Sequence, residues 1–158
     1  MLLTEKVKDM KGHLSIKVYR EGELYREEET DNLIVTQGRL NLAKLLSGDT
    51  GVHVSHIGIG TGTDTAVSTD TNLSEIIKID VSDVKVATGL TAPDGTTFDD
   101  PRVVQFHFRF GLGTAVGMAI SEYGLFCADG TLFSRVVRDA PFTKTAIDQI
   151  IGFWQIQF

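Results

Sequence analysis

The sequence predicts a mainly β fold, an antiparallel β-sandwich of the jelly-roll type with one short helix. Three observations predict it: about eight short segments are strand-like, turn signals separate them at regular spacing, and a helical period occurs once. At 158 residues the chain can bury one core without disulfides. We therefore expect an N-terminal arm over residues 1–11 and a single sandwich domain over residues 12–158.

Five segments have the residue pattern of strands. They are His13–Arg20, Leu24–Thr30, Val52–Gly60, Arg102–Phe110 and Gln149–Phe158. Leu24–Thr30 is rich in glutamate, which is typical of an edge strand that must avoid unwanted pairing. Ile76–Val86 is rich in β-branched residues and predicts one further strand. We expect Gly89–Pro101 to form a projecting loop and Arg138–Thr145 to be a connection.

The strongest local signal is the hairpin Ile120–Val137, with the sequence ISEYGLFCADGTLFSRVV. Two apolar arms are joined by Ala128–Thr131, and Asp-Gly between apolar runs is typical of a tight β-hairpin. The pair predicts a type I′ turn, in which both Asp129 and Gly130 have positive φ. We interpret the segment as a core hairpin.

One segment, Gln37–Leu46, predicts a helix. Thr36 is a plausible N-cap, and Gly48 stands where a helix commonly ends in a left-handed residue. The apolar residues of this segment predict a short amphipathic helix near residues 37–46, with a stripe formed by Leu40, Leu42, Ala43, Leu45 and Leu46. We expect this stripe to pack on the sheets.

Composition argues against several classes of function. The formal net charge is −6, whereas a protein that neutralises many phosphates is usually basic. No apolar run approaches the roughly 20 residues of a membrane helix, and the first residues do not resemble a signal peptide. We therefore expect neither nucleic acid nor a membrane as partner, and synthesis in the cytoplasm. The single cysteine, Cys127, is interpreted as a buried hydrophobe.

No constellation of residues predicts a reaction. Gly58, Gly60 and Gly62 resemble a phosphate-binding loop, but no helix follows them, so a bulge or tight turn is the better interpretation. Two loops are rich in aspartate, with residues Asp64, Asp70, Asp94, Asp99 and Asp100, yet their spacing matches no calcium-binding loop. His53 and His56 would lie on opposite faces of a strand. We expect no catalytic residue, no metal site and no cofactor.

Three segments together carry a family resemblance. They are His56–Gly62 followed by Thr69–Glu75, Ile120–Phe126 with Ala128–Leu132, and Lys144 ahead of a closing strand with Trp154–Ile156. In this order they resemble the small β-rich structural proteins of tailed bacteriophages. The chain is similar in particular to the N-terminal domain of the phage tail-collar fibre family, with its H-I-x-x-G-x-G and I-x-E-x-G-L-F-x-x-D-G-x-L patterns.

The resemblance implies a non-enzymatic virion structural protein associated with the tail or baseplate, as a collar or fibre-attachment component. Collar fibres continue into a long shaft, which this chain lacks after Phe158, so a capsid decoration protein bound to the head lattice is the alternative. A carbohydrate-binding module is a third. We expect other virion proteins as partners, namely tail, baseplate or major capsid protein.

We also expect a homo-oligomer, for which a trimer is one closed form. The candidate partner-binding residues are the apolar ones of the arm, Leu2, Leu3, Val7 and Met10.

Overall fold

The computed structural model describes residues 9–158, and over these residues the chain is mainly β and antiparallel, with one helix. The strands are β1 (Lys11–Arg20), β2 (Glu23–Ile34), β3 (Val54–Gly60), β4 (Ile77–Asp80), β5 (Asp83–Thr91), β6 (Thr97–Phe110), β7 (Ala119–Cys127), β8 (Leu132–Thr143) and β9 (Asp148–Gln157). Helix α1 covers Thr36–Leu46, and a single 3-10 turn covers Thr50–Val52. The expected fold class is confirmed.

The strands form one curled sheet in the order β4-β3-β7-β8-β2-β1-β9-β6-β5. Its two halves face each other, and the main core cluster takes side chains from both. We call β2-β1-β9-β6-β5 the first layer and β4-β3-β7-β8 the second layer. They are joined at β2, which pairs with β8 only through Leu33 and Ile34.

The register of the first layer explains how its core face is filled. Leu14, Trp154 and Phe106 stand opposite one another on β1, β9 and β6. Trp154 is 0 % exposed, so the closing strand belongs to the core. One row further along, Gly152 faces Phe108, and a Cβ atom there would lie 2.9 Å from the Phe108 ring. The same Cβ atom would lie 2.2 Å from the Ser15 carbonyl oxygen, so the glycine makes room for the backbone of β1 as well as for the aromatic side chain.

The Asp-Gly sequence forms the hairpin between β7 and β8, but the turn is not type I′. Gly130 has φ +86°, whereas Asp129 is not among the residues with positive φ. The Gly130 N–H donates to the Cys127 carbonyl at 2.9 Å, and the Asp129 carboxylate accepts from the N–H and hydroxyl of Thr131. These features are those of a three-residue hairpin loop, in which a type I turn is followed by a glycine bulge.

The same local sequence forms the same turn between β5 and β6. Gly95 has φ +88°, and Asp94 accepts from the N–H and hydroxyl of Thr96 as Asp129 does from Thr131. The β5–β6 hairpin is therefore longer than expected, since strand structure occupies most of the Gly89–Pro101 segment that we predicted as a projecting loop. By contrast, the β1–β2 turn has two residues of positive φ, Glu21 and Gly22.

Two further strand boundaries differ from expectation. The segment Ile76–Val86 is not one strand, because it divides between β4 and β5, which lie at opposite ends of the strand order. Strand β8 continues through Pro141 to Thr143, where a connection was expected. Proline is compatible with a strand position that needs no ladder donor.

Helix α1 is confirmed, although its cap and its buried face differ from expectation. The N-cap is Val35, not Thr36, and no side chain caps the helix. The buried residues are Gly38 and Asn41, whereas Leu46 is 84 % exposed. Asn41 donates a 2.7 Å hydrogen bond to the Thr131 hydroxyl, so the helix packs on the hairpin through a polar contact. Gly48 has φ +99° as expected.

Replacing Gly130 by valine should destabilise the protein by about 1–2 kcal/mol, because a side chain disfavours positive φ. A steric clash does not contribute to this loss of stability, since no neighbouring atom lies within 4 Å of the position that a Cβ atom would take at Gly130. Gly113→Val is the matched control, because that site is equally open and has no positive φ. Urea denaturation of both variants checks the prediction, and equal losses would contradict it.

Candidate functional site

Glu122 is a buried carboxylate at the centre of β7, and it is 0 % exposed. Its Oε1 accepts hydrogen bonds from the backbone N–H groups of Gly62 at 2.9 Å and Ser74 at 2.6 Å. Its Oε2 accepts from the Arg135 guanidinium at 2.8 Å. One side chain therefore connects the β7–β8 hairpin to both ends of the loop between β3 and β4.

Arg135 lies on β8 beside Glu122 and extends the network into the loop. Its Nη1 donates to the Asp70 carboxylate at 2.7 Å, and its Nη2 donates to the Asp64 carbonyl at 3.1 Å. Burial opposes the charge, but the hydrogen bonds to Asp70 and Glu122 outweigh it, so the pKa of Arg135 is raised. We call Glu122, Arg135 and Asp70, with the backbone of Gly62 and Ser74, the Glu122 cluster.

The glycine-rich segment provides the space that the Glu122 cluster occupies. A Cβ atom on Gly60 would lie 2.5 Å from a carboxylate oxygen of Glu122, and one on Gly62 would lie 2.6 Å from it. Gly58 faces Phe126 in the same way, at 2.7 Å. A bulge or a tight turn was expected at these glycines, and no bulge falls there, because the register shift on β3 lies between Val54 and His56. These glycines allow close approach of neighbouring side chains.

The loop over residues 61–76 covers the outer face of the second layer. A second small apolar cluster lies beneath it and consists of Val35, Leu73, Phe126 and Leu132, with Ile76 packed against it. Strand β7 is buried on both faces as a result. The Glu122 cluster thus supplies the polar part of this contact. All its charged side chains are used in holding the loop.

A second polar centre holds the far end of the sandwich. Asp148 is 0 % exposed and accepts from Arg20 at 2.8 and 3.1 Å and from the N–H and hydroxyl of Thr145. The hydrogen bond from Arg20, aided by Thr145, lowers the pKa of Asp148. Nearby, the Lys144 ammonium donates to the Leu112 carbonyl at 3.0 Å, and burial lowers the pKa of that lysine.

A groove runs between β2 and β8, where the two strands diverge after their short pairing. Its lining includes Arg26 and Glu28 from β2 and Arg138 from β8. Glu28 pairs with Arg26 on its own strand and with Arg138 across the groove. The buried hydroxyl of Tyr123 lies beside these charges without a hydrogen-bond partner among residues 9–158. Burial raises the pKa of Tyr123 to about 12.

The aspartates considered as calcium ligands do not form one cluster in the described residues, and only the carbonyl of Asp64 contacts Arg135 beside Asp70. Asp70 binds Arg135, Asp94 forms its turn, Asp99 accepts from the Gly89 N–H and Asp100 pairs with Arg102. In the described part of the chain, no three acidic, histidine or cysteine side chains are grouped to hold a metal ion.

The other singled-out side chains also have local partners. His53 contacts the Thr50 carbonyl, and His56 pairs with Asp80. Cys127 is buried, and burial raises the pKa of its thiol.

The partner-binding residues expected in the arm fall mostly outside the described residues. This applies to Leu2, Leu3 and Val7. Met10 is described, is partly buried and packs against the main core of its own chain.

Arg135 and Asp148 were missed by sequence reasoning. Arg135 had one available signal, namely a lone charge within the apolar second arm of the hairpin. Lone charges inside apolar strands are expected to be paired.

No protein-family model, curated protein or solved structure matches the chain. No helix between residues 9 and 158 has the length and apolar character needed to cross a membrane.

Replacing Arg135 by methionine should cost about 3–5 kcal/mol, because it leaves the buried Glu122 carboxylate without its charge partner. The double variant Glu122→Gln/Arg135→Met should be more stable than the sum of the single losses predicts. Arg102→Met, in an exposed pair with Asp100, should cost less than about 1 kcal/mol. Urea denaturation measures the free energy of unfolding of Arg135→Met, Glu122→Gln, the double variant and Arg102→Met. Additive losses in the double variant would contradict a coupled cluster.

Replacing Asp148 by asparagine should remove a pH-dependent contribution to stability. The pKa of Asp148 is lowered in the folded chain, so its carboxylate stabilises the fold above the unfolded value of about 3.9 and loses this effect as the pH falls below it. The free-energy difference between wild type and variant should be full at pH 7 and shrink below about pH 4. Glu29→Gln, an exposed carboxylate outside the ion pairs found, is the control. A difference independent of pH would contradict the prediction.

Proposed function

We propose that this chain is a non-enzymatic structural protein of a tailed-bacteriophage virion, associated with the tail or baseplate. It is made in the host cytoplasm and used in the virion. Its partners are other virion proteins and further copies of itself. Host-receptor binding is not part of the proposal.

The observation that supports this proposal most directly is the meeting of two of the three resembling segments at Glu122. Gly60 and Gly62 come from the first segment, Ser74 from the stretch that follows it, and Glu122 from the hairpin segment. Residues that depend on one another for space and hydrogen bonds form a more specific signature than separate glycine and turn patterns. Two of the three segments that resemble the collar-type domain therefore form one connected structural element.

The chemistry of this element also favours a scaffold over a reaction centre. The Glu122 and Arg135 side chains are buried and hydrogen-bonded to the protein itself. A general acid or base needs access to a substrate proton. A buried network of this kind instead fixes one loop conformation. Many copies of such a rigid, acidic domain can bind a symmetric surface tightly through avidity, even when each single contact is weak.

The test is to locate the protein in virions produced from the genome that encodes it. Purified virions would be separated into tails and heads, and each fraction analysed by peptide mass spectrometry and antibody labelling. Fluorescently labelled protein would be incubated in parallel with isolated tails and with expanded heads, and excess unlabelled protein would serve as the competition control. We expect signal on tails and competition there.

The other outcomes separate the alternatives. Binding to expanded heads alone would overturn the tail assignment and favour the decoration protein. Absence from both fractions would overturn a virion role. In that case a glycan array would test the carbohydrate-binding module, with Asp94→Ala as a variant of an exposed loop aspartate.

A further inference from the structure

The loop between β6 and β7 is apolar and exposed. It covers residues 111–118 with the sequence GLGTAVGM, and the segment from Phe110 to Ser121 contains no charged side chain and no histidine. Every other connection of four residues or more between the described strands carries at least one charged side chain. Leu112 is 47 % exposed and Val116 is 50 % exposed. Exposed apolar side chains that are grouped in this way are typical of a surface that binds another molecule.

The buried residue Lys144 fixes the backbone of this loop. Its ammonium donates to the Leu112 carbonyl at 3.0 Å. The Lys144 carbonyl accepts from the Gly117 N–H at 2.8 Å, and the Lys144 N–H donates to the Met118 carbonyl at 3.2 Å. A buried ammonium that loses its acceptor is costly, so the loop is held in one conformation.

The loop has an inner and an outer side. Ala115 and Met118 pack against the main core, whereas Leu112 and Val116 are exposed. Ala115 has φ +59°, a conformation that a residue with a Cβ atom adopts only when its surroundings impose it. An apolar loop that is fixed before binding loses little conformational entropy when it binds a partner.

Two other connections lie beside the loop at the same end of the sandwich. The Lys144 ammonium also lies 3.5 Å from the Thr145 carbonyl in the β8–β9 connection. The Ile147 carbonyl of that connection accepts from the Glu21 N–H of the β1–β2 turn at 3.1 Å, and Ile147 is 44 % exposed. We call Leu112, Val116 and Ile147 the apolar end.

The border of the apolar end is acidic. Glu21 and Glu23 beside the β1–β2 turn are exposed, whereas Arg20 of β1 is paired with the buried Asp148. The exposed Arg109 of β6 offsets one of these acidic charges. An acidic border attracts basic side chains of a partner. It repels the same end of a second copy and also an anionic membrane surface.

We propose that the apolar end is the surface by which this chain attaches to another virion protein, one that presents an apolar pocket bordered by lysine or arginine side chains. Leu112 and Val116 fill the pocket, and Glu21 pairs with a basic side chain at its border. For the class of its partner, the inference rests on the proposed function.

Removal of the apolar side chains tests the proposal. Leu112→Ser/Val116→Ser changes the loop, and Leu46→Ser/Val67→Ser is the matched control, because these two side chains are exposed on α1 and on the β3–β4 loop. Fluorescently labelled full-length chains would be titrated onto isolated tails and onto expanded heads. In the fraction that binds the wild-type chain, the loop variant should lose about tenfold or more in affinity, and the control should bind like wild type. Urea denaturation of each chain checks that the fold is retained.

A charge variant tests the acidic border with the loop left intact. Glu21→Lys should weaken binding about twofold or more, and the loss should be larger at low ionic strength. Glu29→Lys, an equal charge change at an exposed site on β2, should bind like wild type. Equal binding by the two variants would overturn the acidic border as part of the contact.

Photo-cross-linking identifies what occupies the apolar end. Benzoylphenylalanine in place of Val116 should cross-link to a tail or head protein, which peptide mass spectrometry then names. Cross-links only between copies of this chain would overturn the assignment in favour of a second copy, as would self-association in sedimentation velocity that the loop variant alone loses. Binding to vesicles of phosphatidylcholine and phosphatidylglycerol that the loop variant loses would overturn it in favour of a membrane.

The binding outcomes separate this inference from the proposed function. Equal binding of the wild-type chain and the loop variant to tails or heads would overturn the inference and leave the proposed function standing. Absence of wild-type binding to tails and heads alike would overturn the proposed function, and the inference with it.

Discussion

The buried carboxylate of Glu122 is the interaction on which the second layer depends. A carboxylate without solvent must be fully paired, because an unpaired charge in the interior costs several kcal/mol. Glu122 meets this requirement because its carboxylate accepts hydrogen bonds from Arg135 and from two backbone N–H groups of the β3–β4 loop. The loop is therefore held on the outer face of the layer, where it buries Leu73 and Phe126. The glycines at 60 and 62 are needed because any larger residue would occupy the place of the carboxylate.

The weak join between the layers is the second feature that shapes the molecule. Two residue pairs connect β2 to β8, and beyond them the strands separate around a charged groove. Side chains make further contacts in the first layer and between loops: Asp148 at the start of β9 pairs with Arg20 of β1, and the buried Lys144 between β8 and β9 donates to the Leu112 carbonyl of the β6–β7 loop. Among the described residues, the edge of β2 along Glu23–Asn32 has no ladder partner on the β8 side.

Much of the fold could be predicted because its signals are local. Alternation along β1 and β6 and the Asp-Gly turns identify strands and hairpins without knowledge of the partner strands. Boundaries that depend on distant contacts were wrong for the same reason. The break between β4 and β5 arises because the chain leaves one layer for the other. Pro141 lies where the register between β7 and β8 shifts, between the pairs Val137–Glu122 and Phe142–Ile120. The helix cap and its buried face are decided by packing on the hairpin through Asn41.

The sequence by itself determined the fold class, one helix, the position of the Asp129-Gly130 turn and the order of the segments that resemble a phage collar domain. Each of these depends on neighbouring residues and on backbone preferences. Only the tertiary structure decided that Glu122, Arg135 and Asp70 form one cluster, since they are far apart in the chain and become partners through strand pairing and burial. The glycine-rich segment illustrates the difference. Its glycines can be read from the sequence. Their role, which is to leave space for the Glu122 carboxylate of another strand, can be seen only in the folded chain.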